Sequence, residues 1–408
     1  MEEKKQLYPL QFIPIASKSP WGGDALIRQL GKDFVEADEE GNEHHLTTED
    51  RIGESWEIAD MGFRDSLVSE GWLAGNSISD LMETYLDRIV GEKAFNQYGR
   101  QFPLLIKYLD INDKLSVQVH PDDETAIARY DSLGKAEMWY IMDVKPGARI
   151  YAGFKREVSA QELYDRCQAG TVEEILNVIE PAKGDAIMMK PGTVHAADGG
   201  IVIAEIQESS NLTFRLYDWG REKNPATARP IHLAEAMDII DYGAFDPSCW
   251  IRASEEPKRT LVDRQELTVT EMRVKEPLRI DAENSGVFHV YMCVEGEVSI
   301  QQPHPDPAGG TAMDNILLKR GSTVLIPADM GEFYIVPRSA GSVVLEATAG
   351  LHEAPDSYIN PDTEAFLEGE DYEGLENEDG GKNRQIPLVH TRLQEPQRCH
   401  RCLQGRQG

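Results

Sequence analysis

The chain has 408 residues, 40% of them hydrophobic, and a formal net charge of -30. That length suits two or three domains with real cores, and the charge excludes nucleic acid as a partner, because a phosphate backbone demands a basic footprint. No apolar run reaches membrane-spanning length, and Met1-Glu-Glu-Lys-Lys5 lacks a signal peptide's apolar stretch, so a cytoplasmic protein that handles small molecules is expected, with no membrane partner. Cysteines are few and odd in number (Cys167, Cys249, Cys293, Cys399 and Cys402), which fits reduced thiols rather than a disulfide framework. Cys399 and Cys402 have CxxC spacing but no second ligand pair follows, so they read as tail rather than a zinc site.

In chain order, Trp21-Gly22-Gly23 marks a turn with an aromatic anchor. Arg51 to Asp60 carries Ile52, Trp56 and Ile58 at strand spacing. Ser77 to Val90 predicts one amphipathic helix through Ile78, Leu81, Met82, Tyr85, Leu86 and Ile89, stopped by Gly91. Leu104 to Leu109 is an apolar strand with Lys107 in its middle. Next comes Lys114-Leu-Ser-Val-Gln-Val-His-Pro-Asp-Asp123, a short strand that stops at Pro121. Side chains two apart share a strand face, so Ser116, Gln118 and His120 point one way and Leu115, Val117 and Val119 the other. A Gln and a His side by side can hold a metal, since amide oxygen and imidazole nitrogen are both ligands; a half-exposed strand with its polar face in water is the bland alternative. Asp122 and Asp123 suit a helix start.

Lys135-Ala-Glu-Met-Trp-Tyr-Ile-Met-Asp143 is the following strand, with Lys135 and Glu137 on one face. A carboxylate opening an apolar strand needs a partner, either a metal or a salt bridge. Val158 to Glu180 predicts helix, with capping boxes at Ser159/Glu162 and Thr171/Glu174. A Pro191-Gly192 turn then sets the direction of His195. Ile201 to Ile206 is a strand carrying Glu205, and Arg215 lies among apolar residues, where a buried guanidinium expects an anion. Asn224 to Asp241 reads as helix after its prolines. Beyond about Arg252 strands resume, and Gly321 to Pro327 echoes Gly184 to Pro191, a weak internal repeat in which Gly331 takes the place of His195. Glu353 to Gly381 is acidic without Lys or Arg, and Lys382 to Gly408 turns basic, which together read as a disordered tail.

Two histidines, a carboxylate and an amide oxygen thus form a plausible divalent site from Gln118, His120, Glu137 and His195. Ser116-x-Gln118-x-His120-Pro121, Lys135-x-Glu137-Met138, Pro191-Gly192-Thr193-x-His195, Trp21-Gly22-Gly23, Gly53-Glu54-Ser55-Trp56-Glu57 and the Glu205 to Arg215 segment occur in the order and spacing of one family. Over residues from about 8 to 350 the chain resembles type I mannose-6-phosphate isomerase (phosphomannose isomerase) in its short bacterial form.

That resemblance implies a mainly β fold with helical insertions, built as two cupin-type (jelly-roll) β-barrel domains. A catalytic domain would span 1–245, with insertions at about 77–91 and 158–180, followed by a metal-free cupin-like domain at 246–352 and the tail at 353–408. It implies one zinc ion per chain on Gln118, His120, Glu137 and His195. It further implies a phosphosugar pocket with Ser116 and Lys135, and catalysis by Arg215 and Glu205; Lys114, close to these motifs in sequence, is a further candidate to meet the substrate's negative charge. The expected reaction interconverts mannose 6-phosphate and fructose 6-phosphate by proton transfer through an enediol, in a monomer. A metal-dependent cupin oxygenase and a non-catalytic sugar-binding cupin are the competing readings; the Lys-x-Glu pair and Arg215 favour a phosphosugar. The chain departs from some members at Ala197, where an aromatic residue follows the last ligand histidine by two.

Overall fold

The strands follow from runs of apolar residues buried on one or both faces, and they come in two series. In the computed structural model, residues 5–38, 40–225, 228–305 and 311–350 are described; the Cys399/Cys402 pair and the tail from 353 lie outside them. The first series is β1 Ile15–Gly23, β2 Val35–Ala37, β3 Glu43–His45, β4 Ile52–Ile58, β5 Leu104–Ile111, β6 Val117–Val119, β7 Glu137–Val144, β8 Arg149–Phe154, β9 Leu176–Ile179, β10 Ala186–Met189, β11 His195–Asp198, β12 Ile201–Glu208, β13 Phe214–Tyr217 and β14 Trp250–Ile251. The second is β15 Lys258–Asp263, β16 Leu267–Val274, β17 Leu278–Asp281, β18 His289–Glu295, β19 Glu297–Pro305, β20 Thr311–Lys319, β21 Thr323–Ile326, β22 Glu332–Pro337 and β23 Ser342–Ala349.

The first series forms a seven-stranded sheet β1-β4-β5-β12-β7-β10-β14 and a five-stranded sheet β13-β6-β11-β8-β9; the pair β2-β3 stands apart. The second forms β15-β16-β23-β18-β21 and β17-β22-β19-β20. Strand for strand, β4-β5-β12-β7-β10 has the order of β15-β16-β23-β18-β21, and β6-β11-β8-β9 that of β17-β22-β19-β20. The weak echo in the sequence is therefore a repeat of topology. The fold is mainly β with helical insertions.

Alternation explains the layering. In β7, Trp139 and Ile141 face the five-stranded sheet, where Ile150, Ala152 and Ala197 meet them. Met138, Tyr140 and Met142 face the other way, into a larger core shared with Val290, Met292, Leu345 and Ala347 of β18 and β23. With both faces covered, β7 reads as a continuous apolar run. A third core lies between the second pair of sheets, around Tyr291, Ile300 and Phe333.

Three predicted helices come out differently. Ser77 caps its helix with a reciprocal box to Asp80, but the helix ends at Tyr85 because Leu86 takes a left-handed φ of 52°. A short helix, Asp87–Val90, follows, and Gly91 ends it as expected, with φ 90°. A side chain at Gly91 would lie 2.2 Å from the Gly286 carbonyl, so glycine is required there. Over 158–180 only Ala160–Ala169 is α-helical; Gly170 closes it, and after one 3₁₀ turn the chain becomes β9. Leu176 and Ile179 are buried and Ile179 pairs with Ile150, so strand pairing overrides the local helical signal. Thr171 makes no cap. Among the described residues of 224–241, only Leu233–Ala236 is α-helical, because His232 donates its N–H to the Arg215 carbonyl and ties the segment to β13.

Candidate active site

Strand β6 is only three residues long, yet it is the hub. Gln118 pairs with His195 on one side and with Arg215 on the other. Pro121 stops the strand, and the Asp122 carboxylate accepts the Thr125 N–H at 2.9 Å to start the helix Asp123–Tyr130. Val117 and Val119 are packed in the core beneath the Ala160–Ala169 helix, which fixes Ser116, Gln118 and His120 on the opposite face.

His120, Glu137 and His195 converge, with ligand-capable atoms all within 4.8 Å of one another. Glu137 Oε1 is 3.0 Å from His195 Nε2, and Oε2 is 3.5 Å from His120 Nε2. The other ring nitrogens are occupied: His120 Nδ1 lies 2.8 Å from the Leu212 carbonyl and His195 Nδ1 2.8 Å from the Thr193 carbonyl. A carbonyl only accepts, so each Nδ1 carries the proton and each Nε2 turns a lone pair inward. Glu137 is fully buried, and neither carboxylate oxygen makes a hydrogen bond among the described residues. A buried carboxylate with no hydrogen bond, facing two imidazole lone pairs, is a donor set suited to a divalent cation.

The charges agree with that reading. Burial opposes ionisation of Glu137, but the Lys135 ammonium outweighs it and holds the carboxyl well below the usual range. Burial, reinforced by Lys135, pushes His120 down to about 3, so its imidazole is neutral. Lys135 Nζ lies 3.1 Å from Glu137 Oε2 and 3.3 Å from His120 Nε2. Gln118 Nε2 faces His195 Nε2 at 3.2 Å, while Oε1 accepts from Ser116 Oγ at 3.2 Å. Amide rotation exchanges these two atoms, and the rotated form would bring Oε1 to the same centre.

Gln118 and Lys135 reach the wall of a cavity of about 280 Å³. One side carries Glu54, Lys107 and Glu205. Lys107 is buried, with its ammonium 3.5 Å from Glu54 and 3.4 Å from Glu205. Burial works against that charge, but Glu54 and Glu205 overcome it and raise the pKa. Glu205 Oε1 accepts the Trp139 indole N–H at 2.8 Å; burial raises its pKa even against Lys107. The other side carries Arg215, Arg229 and His232. Burial, then repulsion from Arg229, lowers Arg215 to about 10, which leaves it cationic at neutral pH. Arg229 is held by the fully buried Asp218 at 2.6 Å.

The structure brings Gln118, His120, Glu137, His195, Lys135, Glu205 and Arg215 around one centre. Ser116 is buried beneath it, giving its hydroxyl to Gln118 and accepting from Arg215 Nε at 3.3 Å. Lys114 does not join them: its ammonium stands 3.6 Å from Asp198 and 4.1 Å from the Trp219 ring. Sequence reasoning did not assign Glu54, Lys107, Trp139 or Arg229 to the site. Lys107 in the middle of an apolar strand was the one visible signal.

In the second half, ladder register carries the comparison further. Glu137 pairs with Met189, and His289 with Ile326, so His289 stands for Glu137. Phe333, opposite Ile280 and edge-on to Tyr291 at 5.9 Å, stands where His195 pairs with Gln118 and meets Trp139 edge-on at 5.5 Å. The residue in the place of His195 is thus Phe333, not Gly331. Phe333 and Ile280 stand where His195 and Gln118 pair, while His289 is tied to Glu346 at 3.0 Å.

Residues 11–163 match the profile of the phosphomannose isomerase type I catalytic domain. Mannose-6-phosphate isomerase ManA of Bacillus subtilis (strain 168) is 29% identical over 333 residues, which cover 80% of this chain and 95% of the relative. Probable mannose-6-phosphate isomerase GmuF of the same organism is 32% identical over 240 residues, 59% of this chain and 70% of that protein. The crystal structure of a Bacillus subtilis mannose 6-phosphate isomerase superposes with a TM-score of 0.69 at 26% identity, covering 84% of this chain and 99% of that one.

Proposed function

The chain belongs to the type I phosphomannose isomerase family, and from that premise we propose that it interconverts mannose 6-phosphate and fructose 6-phosphate, with one zinc ion held by Gln118, His120, Glu137 and His195. The observation that carries the proposal is the buried Glu137 carboxylate, without a hydrogen bond and facing two Nε2 lone pairs, beside a cavity with cationic groups on one side. The ion would act as a Lewis acid toward sugar oxygens.

The remaining work falls to the chain's own groups. Arg215 and Arg229 would receive the phosphate end and the developing oxyanion, local positive charge overriding a strongly acidic protein. Glu205 is the proposed base that moves the proton between C1 and C2 through an enediol. Its raised pKa brings it closer to the working pH of a proton shuttle. The Trp139 N–H fixes one oxygen, and Lys107 keeps the carboxylate in place from below. Lys135, with its ammonium 3.1 Å from Glu137 and 3.3 Å from His120, reaches the same cavity wall and would meet the substrate there.

The two matching series of strands support reading the chain as two cupin-type domains, of which only the first holds metal; the division proposed at 245/246 moves past β14, which still pairs with β10. The charge argues for a small phosphosugar and no nucleic acid as partner, and among the described residues no helix is long and apolar enough to cross a membrane. A cytoplasmic monomer is the proposed working form. Metal analysis tests the site: one zinc per chain is expected, and protein that binds no zinc at saturating concentration would remove the proposed centre.

A further inference from the structure

A second cavity, of about 390 Å³, lies between the N-terminal segment, the turn around Trp72 and the β19–β20 hairpin. It shares no wall residue with the candidate active site. Its volume is that of a small-molecule pocket, typically about 300–1,000 Å³. We propose that it binds an unphosphorylated saccharide.

The wall chemistry selects that class. Tyr8 and Trp72 supply aromatic surface, with ring centroids 5.9 Å apart. Aromatic faces take the apolar C–H face of a pyranose, as they take other flat apolar surfaces. Gln11 supplies an amide and Glu70 a carboxylate; Asn315 offers its amide N–H groups, its oxygen already accepting from Gln301 and Arg338, and Asp314 stands 3.4 Å from His304. Amides both donate and accept and carboxylates accept, which matches hydroxyls in pairs. The Gln11 amide, the Glu70 carboxylate and the Trp72 indole N–H make no hydrogen bond among the described residues, so they are available to a ligand. Tyr8 is already committed, giving its hydroxyl to the Glu70 carbonyl and accepting from Leu73 N–H, which holds its ring in place.

The same wall disfavours a sugar phosphate. Among the described residues, Glu70 and Asp314 line the cavity together with His304, and no Lys or Arg does. This is the reverse of the active-site cavity, where Lys107, Lys135, Arg215 and Arg229 line the wall. Lys5 does approach the Trp72 ring from outside the wall, 3.9 Å from its centroid, an exposed contact weak enough for a stacked sugar to displace.

The test is saturation-transfer NMR on the full chain with methyl α-mannopyranoside and methyl α-glucopyranoside. These glycosides carry no phosphate and cannot open to an aldehyde. Millimolar affinity is expected, unaffected by saturating mannose 6-phosphate. Trp72→Ala should weaken it at least about tenfold, a contribution of about 1.4 kcal/mol. Should that variant fail to fold by circular dichroism, Gln11→Ala decides, with a weakening of about threefold or more expected. No binding of either glycoside, displacement by the phosphosugar, or unchanged affinity in the folded variants would each overturn the proposal.

Discussion

Replacing Arg215 by alanine should cut turnover about 10²- to 10³-fold while zinc stays bound. Arg215 spends Nε on Ser116 Oγ at 3.3 Å and Nη1 on the Pro230 carbonyl at 2.9 Å. Nη2 makes no hydrogen bond among the described residues, and the side chain lines the cavity. A preorganised donor aimed at developing negative charge is worth about 3–4 kcal/mol of barrier, which gives the stated factor. Burial lowers its pKa to about 10, so the group is charged throughout the working range. The assay couples fructose 6-phosphate formation to a reductase, giving kcat and KM separately, with metal content measured on the same sample. A fall in kcat with zinc retained fits a role in the transition state. Unchanged kcat would refute that role. Loss of zinc would show that Arg215 acts through Ser116 on Gln118 instead.

His195→Ala should lose the metal, because two ligand atoms and one neutral imidazole do not replace the set; full zinc occupancy measured by mass spectrometry would remove His195 from it. Glu205→Gln keeps the acceptor for Trp139 but cannot take a proton, so kcat should drop at least about 10²-fold with KM little changed, and a wild-type kcat would exclude Glu205 as base. Asp60 lies outside the site. Burial pushes its pKa up from 3.8 to about 6, although the Phe102 N–H donates to it at 2.7 Å. The folded state therefore binds this proton more tightly than the unfolded one, and stability is lost as pH rises from about 4 through 6. Asp60→Asn should gain up to about 3 kcal/mol at pH 8 and nothing near pH 4, read from urea midpoints; an equal effect at both pH values would contradict the titration.

Four of the site residues were legible because strand geometry makes them so. Gln118 and His120 are two apart beside a proline, Glu137 opens an otherwise apolar strand, and His195 follows a Pro-Gly turn. Glu54, Lys107 and Trp139 were not, because each is one residue in an ordinary strand. Only register brings Lys107 opposite Glu205 and Trp56, and Trp139 opposite Glu205. Lys114 misled for the converse reason: nearness in sequence to Ser116 placed it at the pocket, whereas its side chain turns to Asp198 and Trp219. The helix over 171–180 failed on the same principle, since Leu176 to Ile179 gains more from pairing with β8 than a second helical turn would supply. The second half was readable as a repeat, but what replaces the metal ligands was not. Counting four residues on from Pro327, as His195 follows Pro191, ends on Gly331, while the ladder against β17 selects Phe333.

The most direct measurement is conversion of mannose 6-phosphate by the protein as purified, after chelation, and after zinc is restored. The account predicts turnover that disappears with the metal and returns at one zinc per chain. No conversion by zinc-replete protein, or full conversion by protein shown to be metal-free, would contradict it.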